Sequence, residues 1–191
     1  LQQEFASDIK NNNWNLLGVT IPLAEEAVEL TNNHHVGVVG TRATIDSGAF
    51  TREIQKLDPK AQVKEQACPL LVPLIEEGWL DKPETKRILR YYLAPLKNTH
   101  IDTLILGCTH YPLILDLFKR KIGKRVQVVE SGEIVAKKLE YYLGRHPEIA
   151  EQCPKGGERI FLTTDSPERF VSLGERFFGK PLYDIQKIKI D

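Results

Sequence analysis

Cys108, Thr109 and His110 stand side by side at the end of the apolar run Thr103-Leu-Ile-Leu106. A thiolate beside an imidazole can act as a covalent nucleophile or as a general base. Work as a base suits removal of a proton from a carbon next to a carboxylate, with hydroxyls and helix N-termini holding the substrate's own charges. A second turn, Gly40-Thr-Arg-Ala-Thr44, follows another apolar run at residues 36–39. Its Thr41 and Thr44 hydroxyls and free backbone N–H groups suit a small anion such as a carboxylate or phosphate. It meets neither the dinucleotide-binding nor the P-loop glycine pattern. Glu76 is a third candidate, because a carboxylate in the last turn of a helix opposes the helix dipole. Each has a plainer reading: a free cysteine is most often a small buried residue, Thr44 is an N-cap, and Glu76 is solvated. Thiol, hydroxyl and imidazole meeting at one turn put the functional reading of Cys108 first.

The elements around that turn place it well. Residues 103–106 read as a strand buried on both faces. Gly107 breaks the strand, and Pro112 opens a helix whose stripe is Leu113, Ile114, Leu117 and Phe118. A helix N-terminus and a neighbouring imidazolium both favour thiolate over thiol, so Cys108 is expected to be reactive. Inverting a carbon without a cofactor needs a second base on its opposite face. No clear second thiol offers itself: Cys68 precedes a proline at a helix start, and Cys153 lies in the loose stretch 152–157. Adjacent His34 and His35 rarely point the same way and have no ligand partners at metal spacing, so no metal site is expected.

Along the chain, strands are expected at residues 16–20, 36–39, 61–67, 103–106, 125–129, 159–163 and 183–190. Helices fill most of the intervals: 1–10, 22–30, 44–57, 68–78, 83–96, 112–123, 134–143 and 167–178. Strand–helix alternation implies an α/β fold with parallel strands and right-handed crossovers. The strands near 36, 62, 103 and 126 make one compact four-stranded unit. The pieces before 21 and after 130 do not obviously belong to it.

Lysine plus arginine and aspartate plus glutamate number 26 each in 191 residues, so no basic bias points to nucleic acid. With 27% charged residues the composition is that of a cytoplasmic protein. Three widely spaced cysteines argue against a disulfide framework. No apolar run approaches the ~18 residues of a membrane span, and the first residues do not form a signal peptide. Leu1, Phe5 and Ile9 open the chain at helical spacing with no cap before them, so a piece of a longer protein is expected.

Leu106-Gly-Cys-Thr-His-Tyr-Pro-Leu113, Gly40-Thr-Arg-Ala-Thr44 and Ala67-Cys-Pro-Leu-Leu-Val-Pro-Leu-Ile-Glu76 together resemble the aspartate/glutamate racemase family, in its glutamate branch. The likeness runs along nearly the whole chain. It implies parallel-sheet lobes of that family's type, one complete four-stranded lobe plus part of a second. Residues 21–129 would be the complete second lobe carrying Cys108, and 1–20 with 130–191 the remaining parts of the first. It further implies cofactor-independent racemisation of L- to D-glutamate by two cysteines, supplying bacterial peptidoglycan. Carried over by the resemblance, Cys108 is the second catalytic thiol, His110 assists it and Glu76 lies near the site. Thr41, Thr44, Thr109 and His110 would contact the substrate.

The family's first thiol sits in a Cys-Asn-Thr motif, and an Asp-Ser-Gly motif lies near its start. Neither occurs in that role here; Asp46-Ser-Gly48 follows the threonine turn instead. The 191-residue chain alone is therefore expected to be inactive. Its uncovered apolar faces are expected to drive self-association into a homo-oligomer, a dimer first of all. An aspartate or other amino-acid racemase, or a non-catalytic module that binds a dicarboxylate or only self-associates, remain the alternatives. About 80 further residues in the intact natural protein, one typical α/β lobe's worth, would favour the enzyme.

Overall fold

Val36 and Val38 point to one side of a sheet and Val39 to the other, and all three are wholly buried. A strand buried on both faces needs helices on both faces. The protein, seen here as a computed structural model, is described over residues 6–11, 16–153, 156–157 and 159–189. Leu1 and Phe5 of the expected first helix, Asn12 and Asn13 of the turn after it, and Ile190 of the last strand lie outside the described residues.

In chain order the first elements are α1 (Ala6–Asn11), α2 (Thr20–Leu30), β1 (His35–Gly40), α3 (Arg42–Asp46) and α4 (Ala49–Leu57). Then come β2 (Gln62–Ala67), α5 (Leu71–Glu76), α6 (Pro83–Lys97), β3 (Thr103–Leu106), a 3-10 turn (Tyr111–Ile114), α7 (Leu115–Ile122) and β4 (Gln127–Val129). The chain continues through α8 (Ser131–Arg145), α9 (Pro147–Ala150), β5 (Phe161–Thr163), α10 (Pro167–Phe178) and β6 (Ile185–Lys187).

β1 to β4 form a parallel sheet in the order β2-β1-β3-β4. Side chains alternate across it, as strand geometry requires. Val39, Leu104 and Leu106 pack with Leu71, Ile75, Leu89, Leu93 and Phe118 from α5, α6 and α7. Val36, Val38 and Ile105 pack with Leu23, Ala27, Phe50 and Ile54 from α2 and α4. Each fully buried leucine or phenylalanine contributes about 1.5–3 kcal/mol of transfer free energy. α8 leans on the second layer, where Ile134 packs and Lys138 pairs with Glu25 at 2.8 Å. β5 and β6 make a separate two-stranded parallel sheet. Neither α8 nor α10 buries any residue completely.

Four local expectations change. Residues 16–18 are not a strand, and α2 begins at Thr20. Leu16, Leu17 and Val19 are 42%, 51% and 47% exposed. The expected long helix after β1 breaks at Gly48, whose φ of +57° starts α4 afresh. The helix predicted from Pro112 opens as a 3-10 turn and becomes regular only at Leu115. α8 starts earlier than predicted, because the Glu130 carboxylate accepts from the N–H groups of Gly132 and Glu133.

Candidate active site

The order β2-β1-β3-β4 reverses direction between β1 and β3, and in open parallel sheets ligands bind at the carboxyl edge of such a switch. The two turns that leave those strands are the threonine turn after Gly40 and the thiol turn after Leu106. Both are tied to the sheet: the Gly107 N–H donates to the Val39 carbonyl at 2.7 Å, and the Cys68 N–H to the Gly40 carbonyl at 2.8 Å. Gly107 also permits a close approach. A Cβ there would lie 2.8 Å from the Phe50 ring and 3.1 Å from the Val39 oxygen.

From this edge a line of side chains runs outward. Cys108 Sγ lies 3.9 Å from His110 Nδ1. His110 Nε2 lies 3.2 Å from Glu76 Oε1, at the end of α5. Arg169 Nη2 donates to Glu76 Oε2 at 2.8 Å from the first turn of α10. An imidazole that donates Nε2–H to Glu76 keeps the Nδ1 lone pair toward the thiol. Phe177 of α10 meets the His110 ring edge-on, with centroids 5.6 Å apart. Between the thiol turn and α10 opens a cleft of about 360 Å³ lined by Thr109, His110, Phe170, Leu173, Gly174 and Phe177.

Thr41 and Thr44 are joined at 2.9 Å through their hydroxyls, and Thr41 Oγ1 also accepts the Thr44 N–H. They sit on the neighbouring strand end, one strand over from Cys108. Thr109 is exposed beside the thiol. The structure thus brings Cys108, His110 and Glu76 into one connected group, with Thr109 beside it and Thr41 and Thr44 flanking it.

The expectation that Cys108 is biased toward thiolate is corrected. Burial pushes its thiol above the ordinary range, and the backbone N–H groups of His110 and Tyr111 offset only part of that. Tyr111 begins a 3-10 turn rather than a regular helix, so the expected helix dipole is weak where it was needed. Cys68 is driven further, up to about 12, chiefly by burial with Cys108 adding to it. Its thiol sits inside the core, and Cys153 is exposed far along the chain. His34 Nδ1 engages Asp58 Oδ2 at 2.6 Å. Among the described residues no three Cys, His, Asp or Glu side chains gather as a metal-holding group, and no helix is long and apolar enough to cross a membrane.

Sequence reasoning missed Arg169 and Phe177. One signal for Arg169 was present: a cation in the first turn of a helix opposes the dipole, as Glu76 does at the end of its own helix.

Residues 16–139 match the family described as Asp/Glu/Hydantoin racemase. The chain belongs to that racemase family. Among curated relatives, glutamate racemase of Syntrophus aciditrophicus is 44% identical over 168 residues, which are 87% of this chain and 62% of that protein. Glutamate racemase of Geobacter metallireducens is 37% identical over 92% of this chain and 65% of its own length. The chain thus spans just under two thirds of those two relatives. Among solved structures, glutamate racemase isoform RacE1 from Bacillus anthracis superposes with a TM-score of 0.86 at 30% identity, covering 97% of this chain and 69% of that one. The Francisella tularensis glutamate racemase, solved in complex with D-glutamate, gives 0.77 at 32% identity, over 87% of this chain and 62% of that one. The racemase family match includes Thr41, Thr44, Glu76, Cys108, Thr109 and His110 and leaves α10, with Arg169, outside it.

Proposed function

We propose that this chain is part of a cofactor-independent glutamate racemase, in which Cys108 carries the α-proton on one face of the substrate. The observation that supports this most is the line Cys108–His110–Glu76 at the switch point of the sheet, in a chain whose relatives are named glutamate racemases. In this reading the Cys108 thiolate removes the α-hydrogen of L-glutamate, forming an S–H bond as the Cα–H bond breaks. A second acid on the opposite face returns a proton to the carbanion, and the product is D-glutamate. His110 Nδ1 takes the thiol proton before the first step and returns it in the reverse direction. A buried thiol with a raised pKa stays protonated at rest, the form in which the D-to-L direction uses it; His110 supplies the deprotonation that L-to-D needs. Thr41, Thr44 and Thr109, with the backbone N–H groups of their turns, hold the substrate's carboxylates. Residues 21–129 act as one lobe in this arrangement, and the product serves peptidoglycan synthesis in the cytoplasm.

The opposed acid is not Cys68, which is locked in the core, nor Cys153, so the 191-residue chain by itself does not racemise glutamate. The test incubates the whole protein with L-glutamate in D₂O, and resolves the enantiomers by chiral chromatography with mass detection. D-glutamate carrying α-deuterium is expected, and Cys108→Ser lowers its formation by at least ~10³-fold, the scale of losing a proton-transfer group. Undiminished exchange in Cys108→Ser overturns the reading. Racemisation by the 191-residue chain alone, lost in Cys108→Ala, would place the second acid within these residues.

A further inference from the structure

We propose that Arg169 is a positioning residue for the Cys108–His110 pair, holding the Glu76 carboxylate from α10 so that His110 keeps Nδ1 turned to the thiol. This rests on the reading of Cys108 as the proton-transfer group. Glu76 has two oxygens and each is used once: Oε1 faces His110 and Oε2 accepts from Arg169. The terminal torsion of a glutamate is broad and two-fold, so without the second contact the carboxylate swings away from the imidazole.

Two independent observations separate this from an incidental surface pair. Arg169 sits in the first turn of α10 and Glu76 is the last residue of α5, so each is mismatched to its own helix dipole and matched to the other. The same face of α10 makes two more contacts with this corner. Phe177, two helical turns on, packs edge-on against His110, and Arg176 lies where a Cβ on Gly78 would come within 2.9 Å of its guanidinium. The Arg169 side chain is 63% exposed. An ion pair so wet adds little to folding, so its loss is felt at the thiol rather than in the stability of the fold.

Cys68 and Tyr111 are the other titratable groups beside Cys108, and Glu76 from α5 and Arg169 from α10 are the charges in line with the pair, Arg176 lying against Gly78.

The test measures iodoacetamide labelling of Cys108 at neutral pH by peptide mapping, with exposed Cys153 as the internal reference. Arg169→Gln slows Cys108 by about 3- to 10-fold, the worth of one hydrogen bond, and leaves Cys153 unchanged. Arg169→Lys, which keeps a single charged donor, restores most of the rate. Glu76→Gln slows Cys108 by a similar factor, and adding Arg169→Gln to it changes nothing further. An unchanged Cys108 rate in Arg169→Gln overturns the proposal. So does a slowing that persists in the Glu76→Gln background, which would show the arginine acting on the thiol through space. In the whole protein, Arg169→Gln lowers kcat on L-glutamate at unchanged KM. If the unsubstituted whole protein leaves glutamate untouched, the proposed activity fails while the labelling experiment still decides Arg169.

Discussion

Tyr111 Oη donates to the carbonyl oxygen of Cys68 at 3.3 Å, fastening the turn after β3 to the turn after β2 from inside the core. Tyr111 is wholly buried, and its ring lies 5.4 Å from that of Phe118.

Tyr111→Phe keeps the ring packing and removes only this bond. The Cys68 carbonyl still accepts the Leu71 N–H at 3.2 Å, so it is not left bare. The expected loss is about 1 kcal/mol, read as a lower urea midpoint at unchanged slope. No shift in midpoint would show that the hydroxyl contributes nothing.

The three thiols differ in reach as well as in acidity. Cys153 is exposed, Cys108 half-buried and Cys68 sealed with its pKa near 12. Labelling of the folded protein should therefore mark Cys108 well before Cys68. The Cys108 rate should keep climbing with pH beyond the ordinary thiol range, since its own pKa is raised. Equal labelling of Cys68 and Cys108 in a folded sample would contradict this order.

The same shift makes the fold sensitive to alkali. Cys68 holds its proton more tightly folded than unfolded, so its contribution is full below the unfolded thiol's range. It is lost as pH rises from there toward 12. Stability should fall by on the order of 1 kcal/mol per pH unit on this account. Cys68→Ala is less stable at neutral pH but should lose stability more slowly above the thiol range. Parallel slopes for the two proteins would mean the buried thiol is not the cause.

His110 neighbours Cys108, so its effect on the proposed reaction should be directional. In the whole protein, His110→Ala should lower turnover of L-glutamate by about 10²-fold, with a smaller loss for D-glutamate. Progress curves started from each enantiomer give both values. Equal losses in the two directions would show that His110 holds the substrate without tuning the thiol.

The carboxyl edge of the sheet was legible because its signals are local. Gly40 with Thr41 and Gly107 with Cys108 each end an apolar run and begin a turn, and the alternation of strands and helices sets them on one side. Glu76 could be singled out by its misplacement on its own helix. The strand expected at residues 16–20 failed because Leu16 to Gly18 follow an irregular path and α2 already begins at Thr20. The acidity of Cys108 was misjudged for another reason. Sequence shows the turn and the imidazole that would favour thiolate, but the burial that opposes them is assembled from distant segments. Arg169 is 93 residues from Glu76, beyond any pattern of spacing.

Gly107 has a consequence on a different clock. Its amide bonds to the Val39 carbonyl at 2.7 Å, and the Phe50 ring fills the space where a side chain would stand. Freeing that N–H requires the end of β3 to part from β1 beside the Phe50 ring of α4. In D₂O the Gly107 proton should accordingly be among the last to exchange, at the rate of whole-sheet opening rather than of loop fluctuation. The residue before the thiol would then report how often the sheet itself comes apart.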